Sequence, residues 1–103
     1  MIVILFRSKL TPAAGDDYIA MDAELETIVR QNPGFVDVKS FKAEDGERLT
    51  VVWFRDEESL RTWREQERHR VAQKTGREKW YEYYKLEVAT ITRTNDFSRA
   101  DKA

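Results

Sequence analysis

The chain of 103 residues is long enough for one compact domain and leaves little room for a second. Charged residues make up 36% of it, yet the formal net charge is only −1, and the two signs are interleaved. This distribution disfavours nucleic-acid binding, which needs a surface of one sign, and a polybasic membrane anchor. Because cysteine is absent and histidine occurs once, we expect no disulfide, no thiolate catalysis and no metal site.

The first predicted element is a strand over residues 2–9, which are rich in β-branched and aliphatic side chains. Its apolar run ends at Arg7 and Lys9, so it is too short to span a membrane. The run also lacks the preceding basic segment of a signal peptide. We therefore expect a soluble, cytoplasmic protein with no membrane partner.

A helix follows, because apolar side chains recur at helical spacing on one stripe. Its start is open between two candidate caps, Thr11 with Pro12 and Asp16 with Asp17. It ends at Pro33, which cannot continue a helix. The residues of the stripe are Tyr18, Met21, Leu25, Ile28 and Val29.

Two further strands, residues 35–42 and 48–55, flank the dipeptide Asp45-Gly46. An Asp-Gly pair favours a tight hairpin turn because glycine tolerates positive φ, so the two strands should pair antiparallel. This hairpin leads directly into the next helical segment.

The second helix is predicted over residues 56–70, with Asp56 as its N-cap. Residues 71–84 break at Gly76 and leave room for a short extra turn. Residues 84–93 form the fourth strand. We treat residues 1–93 as one domain and residues 94–103 as a polar tail.

The order βαββαβ predicts an α+β, ferredoxin-like fold with an antiparallel sheet and both helices on one face. In that topology the first and third strands are central, and these are the two strands that are apolar on both faces. Since the helices cover one face only, a second copy of the chain should cover the other. We therefore expect a homodimer.

Several stretches carry a family resemblance: "NPGFVDVKSF", the following "DGERLTVVWFRDEESLRTWRE", and "GREKWYEYYKLEVA". Together they resemble the antibiotic biosynthesis monooxygenase domain. The resemblance extends over residues 1–93 as an order of elements. It implies a ferredoxin-like protomer, a dimeric α+β barrel, and either cofactor-free oxidation of polycyclic phenols or quinols, or haem degradation.

The haem-degrading branch of the family implies three site residues, and this chain matches one of them. Trp63 stands at the tryptophan position of the second helix. Gln73 stands where the haem-ligating histidine is expected, and the asparagine position of the first strand falls on Ser8 or Arg7. Because glutamine is a poor iron ligand beside imidazole, we expect no haem cleavage. The sequence also lacks the glycine-rich fingerprint of a dinucleotide or flavin site, so we expect no cofactor.

Trp63 and His69 are the candidate catalytic residues. Trp63 follows Leu60 by three positions and faces the sheet, either as core or as a pocket wall against a flat substrate. His69 is about 120° from Trp63 around a regular helix, so we favour a solvated histidine. As a general base, His69 would need a helix kink near Glu67 or Arg68, and flanking arginines would keep its imidazole neutral.

The candidate substrate-binding residues lie on the central strands and in the aromatic segment before the fourth strand. All except the serine also have a structural interpretation: core packing for the phenylalanines, solvation for the arginine, and closure of the barrel for the aromatic segment. These candidates are Phe6, Arg7, Ser8, Phe54, Trp80 and Tyr84.

Three functions follow from these residues. The first is a cofactor-independent monooxygenase that oxidises a small aromatic or polycyclic phenol, anthrone or quinol with O₂, with Ser8 or Arg7 donating to the developing oxyanion. The second is a dimeric protein that binds a hydrophobic small molecule without catalysis. The third, haem binding or degradation, is disfavoured by Gln73.

Overall fold

The computed structural model describes residues 1–99 and has the predicted order of elements. The elements are β1 (Ile2–Leu10), α1 (Asp16–Arg30), β2 (Phe35–Lys42), β3 (Arg48–Phe54), α2 (Glu57–Glu65), α3 (Glu67–Thr75), a π-helical turn (Gly76–Trp80) and β4 (Tyr81–Thr90). Residues 94–99 of the predicted tail contain no helix or strand, and residues 100–103 lie outside the described part.

The strands form one antiparallel sheet in the order β2-β3-β1-β4. The prediction that the first and third strands are central is confirmed, and with it the α+β, ferredoxin-like fold. In the register of β1 and β3, Ile2 lies opposite Phe54 and Ile4 opposite Val52. Because side chains alternate across a strand, these residues share the face that packs on the helices.

The core lies between this face and the two helical layers. Phe54 has no exposed surface, and Trp63 of α2 is 8% exposed. Burial of a side chain of this size contributes about 1.5–3 kcal/mol, so this cluster fixes the helices against the sheet. Its buried members are Ile2, Ile4, Val29, Val52, Phe54, Leu60 and Trp63.

Helix α1 begins at Asp16, and neither candidate cap closes its first turn through a side chain. Gly15 occupies the N-cap position, and Asp17 accepts hydrogen bonds from Nζ of Lys79 at 2.7 Å and Nε1 of Trp80 at 3.1 Å. The Asp17 carboxylate therefore joins the start of α1 to the π-helical turn. These donors lower the pKa of Asp17 to about 2.

The prediction of one continuous helix over residues 56–70 is wrong. Asp56 does cap α2, accepting from the Ser59 amide at 2.9 Å, but the chain becomes extended at Gln66 (φ −63°, ψ 130°). The Gln66 side chain then caps α3 by accepting from the His69 amide at 3.1 Å. A glutamine side chain thus restarts the helix in a new direction.

The fourth strand is displaced from its predicted range of 84–93. It begins at Tyr81, directly after the π-helical turn that starts at Gly76, and ends at Thr90. The aromatic segment therefore belongs to the sheet. No helix within residues 1–99 is long and apolar enough to cross a membrane.

Candidate functional site

A cavity of about 210 Å³ lies between the helix-facing side of the sheet and helices α1 and α3. The strands supply its floor, which includes Phe6 and Ser8 of β1 and Thr50 of β3. These three share one face because Phe6 lies opposite Thr50 and Ser8 is two positions further along. The lining of the cavity combines apolar side chains with polar and charged ones, so it can hold a ligand that has both kinds of group.

Trp63 and His69 meet on the wall of this cavity. Their ring centroids are 4.4 Å apart and the ring planes are inclined by 27°, so the imidazole stacks on the indole. The favoured interpretation of His69 as a solvated residue is wrong, because the turn at Gln66 removes the offset of a straight helix. The kink that the alternative required is present, one residue before Glu67.

The imidazole of His69 has an unpaired nitrogen. Its Nδ1 atom is buried and has no hydrogen-bond partner among residues 1–99. Burial lowers the pKa of His69 from its ordinary 6.5, against the opposing effect of the carbonyl groups of Arg64 and Trp63. The neutral imidazole is therefore favoured by burial and not by the neighbouring arginines; Arg68 pairs with Glu24 instead.

Three predicted substrate-binding residues line the cavity: Phe6, Ser8 and Tyr84. Ser8 is 3% exposed, so its hydroxyl is a buried polar group. The ring of Phe6 lies 5.5 Å from the ring of Tyr84 and 5.5 Å from that of Tyr81. Together these side chains form an aromatic floor beside one hydroxyl.

The structure does not bring Arg7, Phe54 or Trp80 to the cavity. Arg7 points to the opposite face of the sheet, where it pairs with Glu47 at 3.0 Å, because successive strand residues alternate. Phe54 is enclosed in the core. Trp80 is 3% exposed and its indole nitrogen is bound to Asp17. Of the two candidate oxyanion donors, only Ser8 therefore remains.

Tyr18, Asp22, Arg48 and Tyr81 are among the lining residues that sequence reasoning missed. Tyr18 and Asp22 are one helical turn apart on α1, and Arg48 lies opposite Ser8 in the sheet. On α1, the position of Asp22 beside the apolar stripe could have indicated that it lines the cavity. Arg48 gave no signal, because an arginine at the start of a strand is ordinarily solvated.

These four residues form a polar end of the cavity. The two tyrosine rings are 6.2 Å apart, and burial, first of all, raises the pKa of each phenol, so both remain hydroxyl donors. Burial also raises the pKa of Asp22, while the charge of Arg48 opposes the shift. Residues 1–99 hold no group of three or more histidine, aspartate or glutamate side chains placed to bind a metal ion.

Comparison with known proteins gives a family match and two curated relatives. The family described as antibiotic biosynthesis monooxygenase matches residues 1–75. The uncharacterised protein YqjZ of Bacillus subtilis is 32% identical over 71 residues, which make up 69% of this chain and 62% of that protein. A jasmonate monooxygenase of Pyricularia oryzae is 29% identical over 106 residues, covering 98% of this chain and 49% of that protein. The chain thus spans about half to three fifths of these relatives.

Solved structures share the fold at low sequence identity. SnoaB of Streptomyces nogalater, described as a cofactor-independent oxygenase, superposes with a TM-score of 0.73 at 15% identity. The match covers 90% of this chain and 94% of SnoaB. At this identity the likeness concerns the fold.

Proposed function

Because the chain belongs to the antibiotic biosynthesis monooxygenase family, we propose that it oxidises a small phenol, anthrone or quinol with O₂ and without a cofactor. One observation carries this proposal: the rings of Trp63 and His69 stack on each other and line an aromatic cavity. A neutral imidazole in such a place is suited to remove a proton from a bound substrate.

The proposed reaction starts with proton transfer from the substrate to His69. The resulting carbanion or phenolate passes one electron to O₂, and the substrate radical and superoxide combine to a peroxide. The imidazolium returns its proton, and loss of water leaves a carbonyl, so that a methylene compound and O₂ give a ketone and water. The electrons come from the substrate, and the protein moves the proton and orients the ring.

Three other side chains support these steps in the proposal. The indole of Trp63 and the ring of Phe6 hold a flat substrate between helix and sheet. The buried hydroxyl of Ser8 donates to the oxygen on which negative charge develops. A donor already fixed in a site with little water stabilises such charge far better than a solvated one.

The test is oxygen uptake with anthrone as the probe, without added flavin or metal. We expect wild-type turnover to yield anthraquinone and water, and His69→Ala to lower kcat by about 10²–10⁴-fold. Arg70→Ala, a change at the neighbouring exposed position of α3, is the matched control and should keep the wild-type rate. Activity should fall at acid pH, with a midpoint below 6.5, because protonation removes the base.

Two results would contradict parts of this proposal. Unchanged turnover in folded His69→Ala would remove the histidine from the mechanism. Binding of anthrone without oxygen uptake would indicate the alternative, a non-catalytic protein that binds hydrophobic small molecules.

We also propose that the sheet pairs with that of a second copy. On the face away from the helices, Val3 lies opposite Trp53 and Leu5 opposite Val51. None of these four belongs to the core cluster between the sheet and the helices; Val51 is buried, and the other three are half-buried. Sedimentation should give a dimer for the wild type and a monomer for Trp53→Glu, because a buried charge without a partner opposes association; a monomeric wild type contradicts the pairing.

A further inference from the structure

Arg48 is the one lysine or arginine that lines the cavity within residues 1–99. Its guanidinium carbon lies 5.9 Å from the ring centroid of Tyr18. In the same described part of the chain, no carboxylate forms an ion pair with it and no side chain accepts its hydrogen bonds. Arg7, on the opposite face of the sheet, forms an ion pair with Glu47 and donates a hydrogen bond to it. Arg48 therefore presents unfilled donors to the cavity.

Arg48 begins β3, and later residues of this strand lie in the core cluster. Val52 packs in the core cluster with Trp63, and Arg48 is four residues earlier on the same strand. At the rise of a β-strand this separation is about 13 Å. A ligand that spans this length of the cavity floor and reaches the guanidinium would be elongated, with its polar group at one end.

A shallow groove continues outward from Arg48. Its charged lining residues are Lys9, Lys42 and Arg48, and no acidic side chain within the described chain lines it. Arg48 is shared by groove and cavity. A concave surface of one sign attracts ligands of the opposite charge, so this approach favours anions.

Two acidic side chains, Asp22 and Glu26, also line the cavity. Glu26 pairs with Arg30 at 3.3 Å, an i,i+4 contact on α1. Asp22 has no ion pair within 4.0 Å among residues 1–99, although the charge of Arg48 acts on it. The negative charge of Asp22 would therefore repel an anionic ligand.

From this arrangement we infer that Arg48 makes the cavity selective for an elongated apolar acid whose carboxylate binds the guanidinium. The inference rests on the proposed function only in assigning the substrate to this cavity. A guanidinium and a carboxylate can form two parallel hydrogen bonds that are strengthened by their opposite charges. An ester carries no negative charge, so it cannot form this pair.

Calorimetric titration with 2-naphthoic acid and its methyl ester tests the inference. The acid should bind wild-type protein about tenfold or more tightly than the ester. Arg48→Gln should reduce this preference to about twofold or less, and Arg48→Lys should retain part of it. Arg7→Gln removes the same charge from the other face and should leave the preference intact.

A change in the opposite direction excludes general damage as the cause. Asp22→Asn removes the competing charge, so it should strengthen binding of the acid about threefold or more and leave the ester unchanged. Equal binding of acid and ester, failure of both to bind at millimolar concentration, or equal loss in Arg48→Gln and Arg7→Gln would each overturn the inference.

The two proposals fail separately. His69→Ala should keep the preference for the acid, since the preference is assigned to the guanidinium of Arg48. Acid-selective binding without oxygen uptake would contradict the monooxygenase proposal alone, whereas oxidation of anthrone without acid preference would contradict the assignment of Arg48 alone.

Discussion

Gln66→Ala tests whether one amide side chain holds His69 against Trp63. The substitution removes the hydrogen bond from the His69 amide to the Gln66 side chain, which is 3.1 Å long and caps α3. Loss of an N-cap interaction costs about 1 kcal/mol. Alanine also favours a continuous helix, which would turn the imidazole about 120° away from the indole.

The expected loss of stability in Gln66→Ala follows from the lost cap and the lost stacking. Stacking of aromatic rings contributes about 0.5–1.5 kcal/mol, so its partial loss adds to that of the cap. We expect the free energy of unfolding to fall by about 1–2 kcal/mol and Tm to fall by roughly 5–15 °C for a domain of this size. Urea unfolding followed by circular dichroism measures the first quantity.

The pKa of His69 provides a second readout. Since burial lowers this pKa in the wild type, an imidazole released to solvent should titrate closer to 6.5 when followed by NMR. Gln31→Ala, at an exposed glutamine after α1, is the control and should change neither quantity. A Gln66→Ala variant with stability within about 0.3 kcal/mol of wild type and an unchanged His69 pKa would refute the reasoning.

Two further predictions concern the frame of the site. Asp17→Asn should lower Tm at neutral pH. The difference in Tm from the wild type should shrink in melts between pH 4 and pH 2. The reason is that a carboxylate with a lowered pKa stabilises the fold fully above pH 3.8 and loses this effect as the pH falls through about 2. A constant difference would contradict this account. Gly34→Ala should destabilise by about 1–3 kcal/mol in urea, because the added methyl group overlaps the Ser59 side chain. Combining it with Ser59→Gly should restore part of the loss, and no restoration would rule out the overlap.

The sheet was predictable because its signals are local. Alternating apolar residues and the Asp45-Gly46 turn predicted β2 and β3, and the turn glycine indeed has a φ of 93°. The sequence could not predict which side chains of β1 point toward the helices, because this strand is apolar on both faces. The choice between Arg7 and Ser8 therefore needed the register, in which Ser8 shares the cavity face with Arg48.

The start of β4 was predicted three residues late for a different reason. Tyr81–Tyr84 looked like a bulky closing segment, since aromatic residues are compatible with both strand and turn. Gly76 allows the π-helical turn to approach the ring of Tyr81, which an added Cβ at that glycine would overlap. Such close packing depends on partners distant from any local pattern.

The break at Gln66 carries the most information about function. On one straight helix Trp63 and Ala72 would lie about 180° apart, whereas Val71 would stay within about 80° of Trp63. Apolar spacing thus favours a continuous helix that buries Val71, yet Val71 is 39% exposed and Ala72 is 8% exposed. The fold therefore leaves the larger apolar side chain in solvent and also buries Nδ1 of His69 without a partner. Both features oppose stability, whereas the cap at Gln66 and the stacking of His69 on Trp63 offset part of that cost. A local arrangement that departs from the sequence pattern in this way is typical of a functional site. The same turn at Gln66 that exposes Val71 stacks the imidazole on Trp63, which is why we assign the chemistry to this pair.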